Sequence, residues 1–372
     1  MLPQSNRISE LSPLYARWVL VVLSLVAVVG GVASWNRGKL PVRDVAPVEA
    51  AVAETPDAVA PDLQLYRDMV DAVRRGENYY VAAKPKLIAS GFPVRSTFNW
   101  RLPTYAWLFA LLPGPWAIQA LLVLLAVVAL VLHFQAEFSA RGMAAAVVSS
   151  FLLLGVVKWS VDGLAFYTQE LWASVLILLS IAAMGKGWQV VAIIAGITAL
   201  MFRELALPFV FWAGVFAVYH RRWSEAFAWA AGITLFVAFL YWHSQQVAAQ
   251  LTPADLATNG GGISQWLKFG GLDFVLLTAR MNSFLFTAIG PVLFLYLLLG
   301  LLGLLSLRDE RLNLQFVAAA SYLAAFCLVG MEVNFYWGLL YAPLLPAGIA
   351  AAGGSLSLLW DRAHAPAAAN QE

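Results

Sequence analysis

PWAIQALLVLLAVVALVLHF, residues 115–134, contains no charged side chain, and its polar members are Gln119 and His133. A helix rises about 1.5 Å per residue, so such a stretch reaches across a hydrocarbon core of roughly 30 Å. That reading makes it a membrane span. Comparable runs at 18–35, 143–158, 169–185, 188–202, 205–219, 226–243, 283–305, 314–330 and 338–359 bring the expectation to about ten spans. The runs at 188–202 and 205–219 are short and predict a tight helix pair meeting at Phe202-Arg203-Glu204. The segment from Pro103 to Leu112 is too short to cross and predicts a helix in the outer interface.

The whole chain agrees. Of its 372 residues 61% are hydrophobic and 12% charged, about half the charged share of a soluble domain. The fold expected is therefore all-α, a polytopic transmembrane helix bundle forming a single domain over 1–372. Cys327, the one cysteine, excludes an intramolecular disulfide, and no basic stripe points to nucleic acid. The small residues Val32-Ala33-Ser34 raise a signal-peptide reading, but the apolar run ending there is long for one, which favours an uncleaved first span.

Lysine and arginine set the orientation. With the N-terminus inside, the inner segments carry Arg7, Arg17, Arg141, Lys186, Arg221, Arg222, Arg308, Arg311 and Arg362. The short outer segments carry only Lys158, Arg203, Lys268 and Arg280. Both termini are thus expected in the cytoplasm. Absence of Asn-x-Ser/Thr fits a bacterial inner membrane.

Two outer loops are long. The first, 36–101, opens with an Ala/Val/Pro linker at 45–61 and continues as DLQLYRDMVDAVRRGENYY. Leu65, Met69, Ala72 and Val73 recur at helical spacing, and Gly76 supplies a stop, so 62–76 predicts an amphipathic helix along the outer membrane surface. The second loop, 244–280, contains Gly260-Gly261-Gly262 and Trp266-Leu267-Lys268 and reads as mobile. Between the loops lie spans two to seven (115–243), and the last three follow at 283–359.

Polar residues crowd the outer ends of the spans: Lys158, Asp162, Glu170, Arg203, Glu204, Arg280, Asn282, Glu332 and Asn334. Ionisable groups near hydrocarbon are costly and usually face a cavity or a partner. An outward polar cavity roofed by the first loop follows. Duller readings exist for each. Arg203 and Glu204 could snorkel at a turn, Glu170 suits a helix N-terminus, and Lys268 and Arg280 could meet lipid headgroups. Trp100, Trp107, Trp116, Tyr241, Trp242 and Trp337 suit an aromatic belt. His133 and His243 have no metal-ligand partner at useful spacing.

Asp62-x-x-x-Tyr66, Gly76, Tyr79-Tyr80 and FNWRLPTYAWLFALLP (98–113) resemble the first outer loop of integral-membrane glycosyltransferases of the C-type fold, the GT-C family. TQELWASVLILLSIAA (168–183), FRELALPFVFW (202–212) and YWGLLYAPLLPAGIA (336–350) are similar to further segments of that family. The resemblance implies transfer of a sugar from a polyprenyl-phosphate donor to a glycan, lipid or protein acceptor at the outer face. It implies Asp62 as the base and Arg203 as the phosphate contact, with Arg280 or Lys268 as a second. Glu170 and Glu204 would position sugar or cation, with Tyr66 beside them. It names no certain cofactor and leaves a divalent metal open. Asp62 lies further beyond the first span than the family pattern has it, so Asp44, Asp68 and Asp71 are alternative bases. The competing functions are a lipid or sugar transporter (flippase) and a non-catalytic membrane subunit. Charges at the outer end rather than the midplane, and no internal repeat, weigh against the transporter.

Overall fold

A computed structural model describes residues 6–40, 61–257 and 268–366. The expected linker at 45–60, the alternative acid Asp44 and the Gly260 run with Trp266 and Leu267 lie outside the described residues. Among the described residues the regular elements are all helical. The apolar runs become α1 (Pro13–Ser34), α5 (Pro115–Arg141), α6 (Met143–Val157), α7 (Gln169–Gly185), α8 (Gln189–Phe202), α9 (Leu207–Tyr219), α10 (Trp223–Ala248), α12 (Gly290–Ser306), α13 (Glu310–Leu328) and α14 (Pro346–His364). Between them the first outer loop folds as α2 (Pro61–Arg74), α3 (Tyr79–Ala89) and α4 (Thr104–Ala110), and the second ends in α11 (Gly271–Ala279).

Among the described residues five helical segments are each long and apolar enough to cross a bilayer: 13–34, 115–141, 143–161, 223–248 and 310–328. Leu14, Trp18, Leu25 and Val32 on α1, and Leu124 and Val131 on α5, are exposed, as lipid-facing side chains are. The chain is an integral membrane protein. Helices α7, α8, α9 and α12 are shorter. Helix α7 shows why that is tolerated. Every residue from Gln169 to Ala183 is buried, so it meets neighbouring helices instead of lipid.

The run expected as a span at 338–359 is bent rather than one straight helix. The chain first runs through two 3-10 turns, Glu332–Leu340 and Ala342–Leu344, and then bends by 56° into α14. Pro343 and Pro346 lack the N–H groups an unbroken helix would need there. The span expected at 283–305 likewise starts later, at Gly290, after a 3-10 turn at Ser283–Leu285.

Glycine permits a close helix crossing. A Cβ on Gly303 would lie 1.9 Å from the Gly348 carbonyl oxygen, and one on Gly348 would lie 2.0 Å from that of Gly300. Helices α12 and α14 therefore touch backbone to backbone, the small-residue packing typical of membrane bundles.

Candidate functional site at the loop-covered end of the bundle

Helix α2 places the first group of polar side chains. Its apolar face (Leu65, Met69, Val70, Ala72) is buried, and it packs on α3 and α4. Gly76 ends this stretch with φ +85°, a left-handed conformation that side chains resist. Packing this face inward turns Asp62 and Tyr66 toward the bundle.

Two adjoining chambers meet at those residues. One, about 500 Å³, is mainly apolar, with Leu40, Trp159, Leu171, Met281, Phe286 and Leu339 among its walls. The other, about 620 Å³, is lined by Asn99, Arg101, Lys268 and Asn334 on its polar side. Asp62, Tyr66, Val333 and Tyr336 belong to both. The 3-10 turn at Glu332–Leu340, between α13 and α14, is what brings Val333, Asn334 and Tyr336 into these walls.

Arg101 organises the junction. Its Nε donates to the Tyr66 hydroxyl at 3.0 Å and its Nη2 to the Tyr336 hydroxyl at 3.2 Å, while its guanidinium carbon sits 5.8 Å from the centre of the Tyr66 ring. The Arg101 backbone has φ +56°, a region that residues other than glycine seldom adopt. Burial raises the Tyr66 hydroxyl well above its ordinary range, against the opposing pull of Arg101. Tyr66 is thus a neutral phenol that accepts from Arg101.

Behind the junction lies a buried ionic cluster. Arg203 Nε is 2.7 Å from Glu170 Oε1, and its Nη1 donates to Glu204 Oε1 at close range. Arg101 Nη1 approaches the same Glu170 oxygen at 3.9 Å. Glu170 is in the first turn of α7, where the helix dipole favours a carboxylate. Arg203 breaks the α8–α9 pair with an extended backbone, and Glu204 starts the 3-10 turn that follows.

The sequence-derived residues thus fall in three places. Asp62, Tyr66 and Lys268 line the chambers. Arg203, Glu170 and Glu204 stand together outside the chamber lining, with Glu170 3.9 Å from Arg101, which does line it. Arg280 is elsewhere. Its Nε donates to the Gly38 carbonyl at 2.7 Å and its Nη1 to that of Phe286 at 2.6 Å, tying the end of α1 to the segment before α12. Asp68 accepts from Gln64, and Asp71 pairs with Arg74 on the outer part of α2. Arg101 and Tyr336 were not singled out from sequence. The signal for Arg101 was its place in the FNWRLP turn, directly before a proline-marked helix.

Among the described residues no group of three or more His, Cys, Asp or Glu side chains is arranged to hold a metal ion.

No protein-family model matches the chain. No curated protein matches it in sequence. Among solved structures it is similar to ArnT from Cupriavidus metallidurans bound to undecaprenyl phosphate, with 17% identity and a TM-score of 0.47 over 91% of this chain and 60% of that one. It is also similar to the same protein in the apo state, with 16% identity and a TM-score of 0.44 over 92% of this chain and 60% of that one. The chain therefore spans about 60% of the length of the solved structures it matches.

Proposed function

We propose that the protein is a GT-C-type membrane glycosyltransferase that takes a sugar from a polyprenyl-phosphate donor and gives it to an acceptor hydroxyl at the outer face of the inner membrane. Residues 1–372 act as one transmembrane unit with both termini in the cytoplasm. The observation that carries this reading is the junction, at the one carboxylate Asp62, of a mainly apolar chamber with a second chamber that has Arg101 and Lys268 in its wall. A lipid-linked sugar phosphate is itself two-natured, so its first isoprene units suit the apolar chamber and its sugar phosphate suits the second.

Asp62 is the base. It takes the proton from the acceptor hydroxyl, whose oxygen forms the new bond to the sugar's anomeric carbon. The bond from that carbon to the phosphate oxygen breaks, and the electron pair leaves with the polyprenyl phosphate. Arg101 and Lys268 face the chamber where that charge develops and stabilise it. Arg203, first expected to touch the phosphate, acts one step back. With Glu170 and Glu204 it fixes the guanidinium of Arg101, and Arg101 fixes Tyr66 and Tyr336.

The test is release and transfer of sugar from polyprenyl-phosphate donors by the purified protein, wild type against Asp62→Asn. Turnover or slow donor hydrolysis that the substitution abolishes supports both the enzyme and the base. Equal activity in the two keeps the enzyme and moves the base elsewhere. Absence of donor binding and of turnover in the wild type removes the transferase reading in favour of a transporter or a membrane subunit.

A further inference from the structure

At the opposite end of the bundle, α9 and α12 both terminate and α13 begins, and the helices do not close against one another. They leave an open groove of about 780 Å³. That volume is within the roughly 300–1,000 Å³ typical of small-molecule sites. One wall is apolar, from Val215, Phe216 and Tyr219 of α9 and Phe316 and Val317 of α13. The other is polar, from Arg7, His220, Arg308, Glu310 and Asn313. Tyr219 is largely exposed at the rim, where an amphipathic ring marks the boundary between hydrocarbon and headgroup.

The groove's own lining carries two arginines, Arg7 and Arg308, against one carboxylate, Glu310. Beside it, Arg222 pairs with Glu225 as well as with Glu310. Each carboxylate is already committed. Glu10 pairs with Arg308, and Glu310 pairs with Arg222 and stands 3.6 Å from His220. Asp309, next in line, accepts from the Leu312 backbone N–H at the start of α13. Arg7 is fixed in place, its Nη1 donating to the Leu305 carbonyl at 2.5 Å and to Asn313 Oδ1 at 2.9 Å. An arginine anchored on the carbonyls that end α12, in a groove whose other wall is hydrocarbon-like, is a preorganised phosphate contact at headgroup depth.

We infer that this groove binds an anionic phospholipid of the leaflet opposite the Asp62 chambers, with its phosphate against Arg7 and Arg308 and the start of an acyl chain along Phe216 and Phe316. Basic pockets between spans recognise anionic headgroups by this combination of charge and apolar wall. The site is separate from the proposed transfer reaction, and its occupancy does not depend on that reaction being correct.

The experiment uses the full chain in an uncharged detergent and reads its thermal unfolding midpoint. The additives are short-chain phosphatidylglycerol, short-chain phosphatidylcholine and glycerol 3-phosphate. The expected result is a saturable rise with phosphatidylglycerol alone. Arg308→Gln should weaken that response about fivefold, since a cation near a membrane surface contributes on the order of 1 kcal/mol to anionic-lipid binding. The matched control is Arg37→Gln. Its ion pair with Asp273 has the same side-chain exposures, 49% and 54%, as the Arg308–Glu10 pair but lies at the other end of the bundle. An equal response to phosphatidylcholine overturns the charge selectivity. Saturation by glycerol 3-phosphate overturns the lipid. An unchanged phosphatidylglycerol response in Arg308→Gln overturns the location.

Discussion

Arg203 Nε lies 2.7 Å from Glu170 Oε1, with the arginine side chain 3% exposed and the glutamate 0%. Neither Glu170 oxygen accepts a hydrogen bond within the described residues. The pair is held by charge rather than by aligned donors, and it joins the start of α7 to the break between α8 and α9. Removing one partner of a buried pair leaves an uncompensated charge, which costs about 3–5 kcal/mol. Glu170→Gln and Arg203→Met should each destabilise the protein on that scale, and the double substitution should cost less than their sum. Unfolding in mild detergent, arranged as a double-mutant cycle, measures the coupling. Additive losses would mean the two side chains do not act as a unit.

Arg101 offers a sharper test of the chamber. It donates from two different nitrogens to Tyr66 and Tyr336, a geometry that a planar fork provides and an ammonium does not. Arg101→Lys should therefore fail to restore activity, with a loss of about 10²–10³ in turnover, the scale of removing one stabilising donor. Tyr66→Phe should lose less and leave the alkaline limb of the pH profile unchanged. Burial lifts the Tyr66 hydroxyl above its ordinary range, so it stays protonated throughout. A full rescue by lysine would show that Arg101 serves only as a point charge.

Much of this arrangement was readable from the chain, for a physical reason. A span must be apolar and uncharged, so α5 and α10 stand out by composition, and the Arg203-Glu204 pair stands out by interrupting it. The break before α14 did not stand out. YWGLLYAPLLPAGIA is apolar on both sides of the bend, and hydropathy does not register a missing N–H. Arg101 was hidden for a different reason. It belongs to a loop, and its role depends on Tyr66 and Tyr336, far away in sequence. Glu137 was hidden too. Its spacing from Arg141 suggests an ordinary surface pair, yet it is fully buried and also bridges to Arg311 at 2.6 Å.

The proposed orientation puts Arg222 and Ala257 on opposite sides of the membrane, at the two ends of the stretch that contains α10. With Cys327 replaced by serine, single cysteines at those positions should react with a membrane-impermeant thiol reagent from opposite faces of intact cells or oriented vesicles. Ala257 should label from the side that carries the Asp62 chambers. Labelling of both from one side would invert or break the assigned topology and move the chambers away from the outer face.

The crossing of α12 and α14 sets the last expectation. Gly303 and Gly348 leave no room for a Cβ, because the nearest atom it would meet at each is a backbone carbonyl oxygen and not the end of a flexible side chain. Relief would require the two helices to separate, and α14 also packs on α1 and α6, so the displacement cannot stay local. Overpacking of this kind costs about 1–3 kcal/mol for a single methyl group and more for a larger one. Gly348→Ala should lower the unfolding midpoint measurably and Gly348→Leu more severely. Gly353→Ala, on the same helix, has nothing within 4 Å of its Cβ position and should leave stability unchanged or improve it through helix propensity. Equal effects at the two positions would show that helix propensity, rather than close approach to α12, governs both.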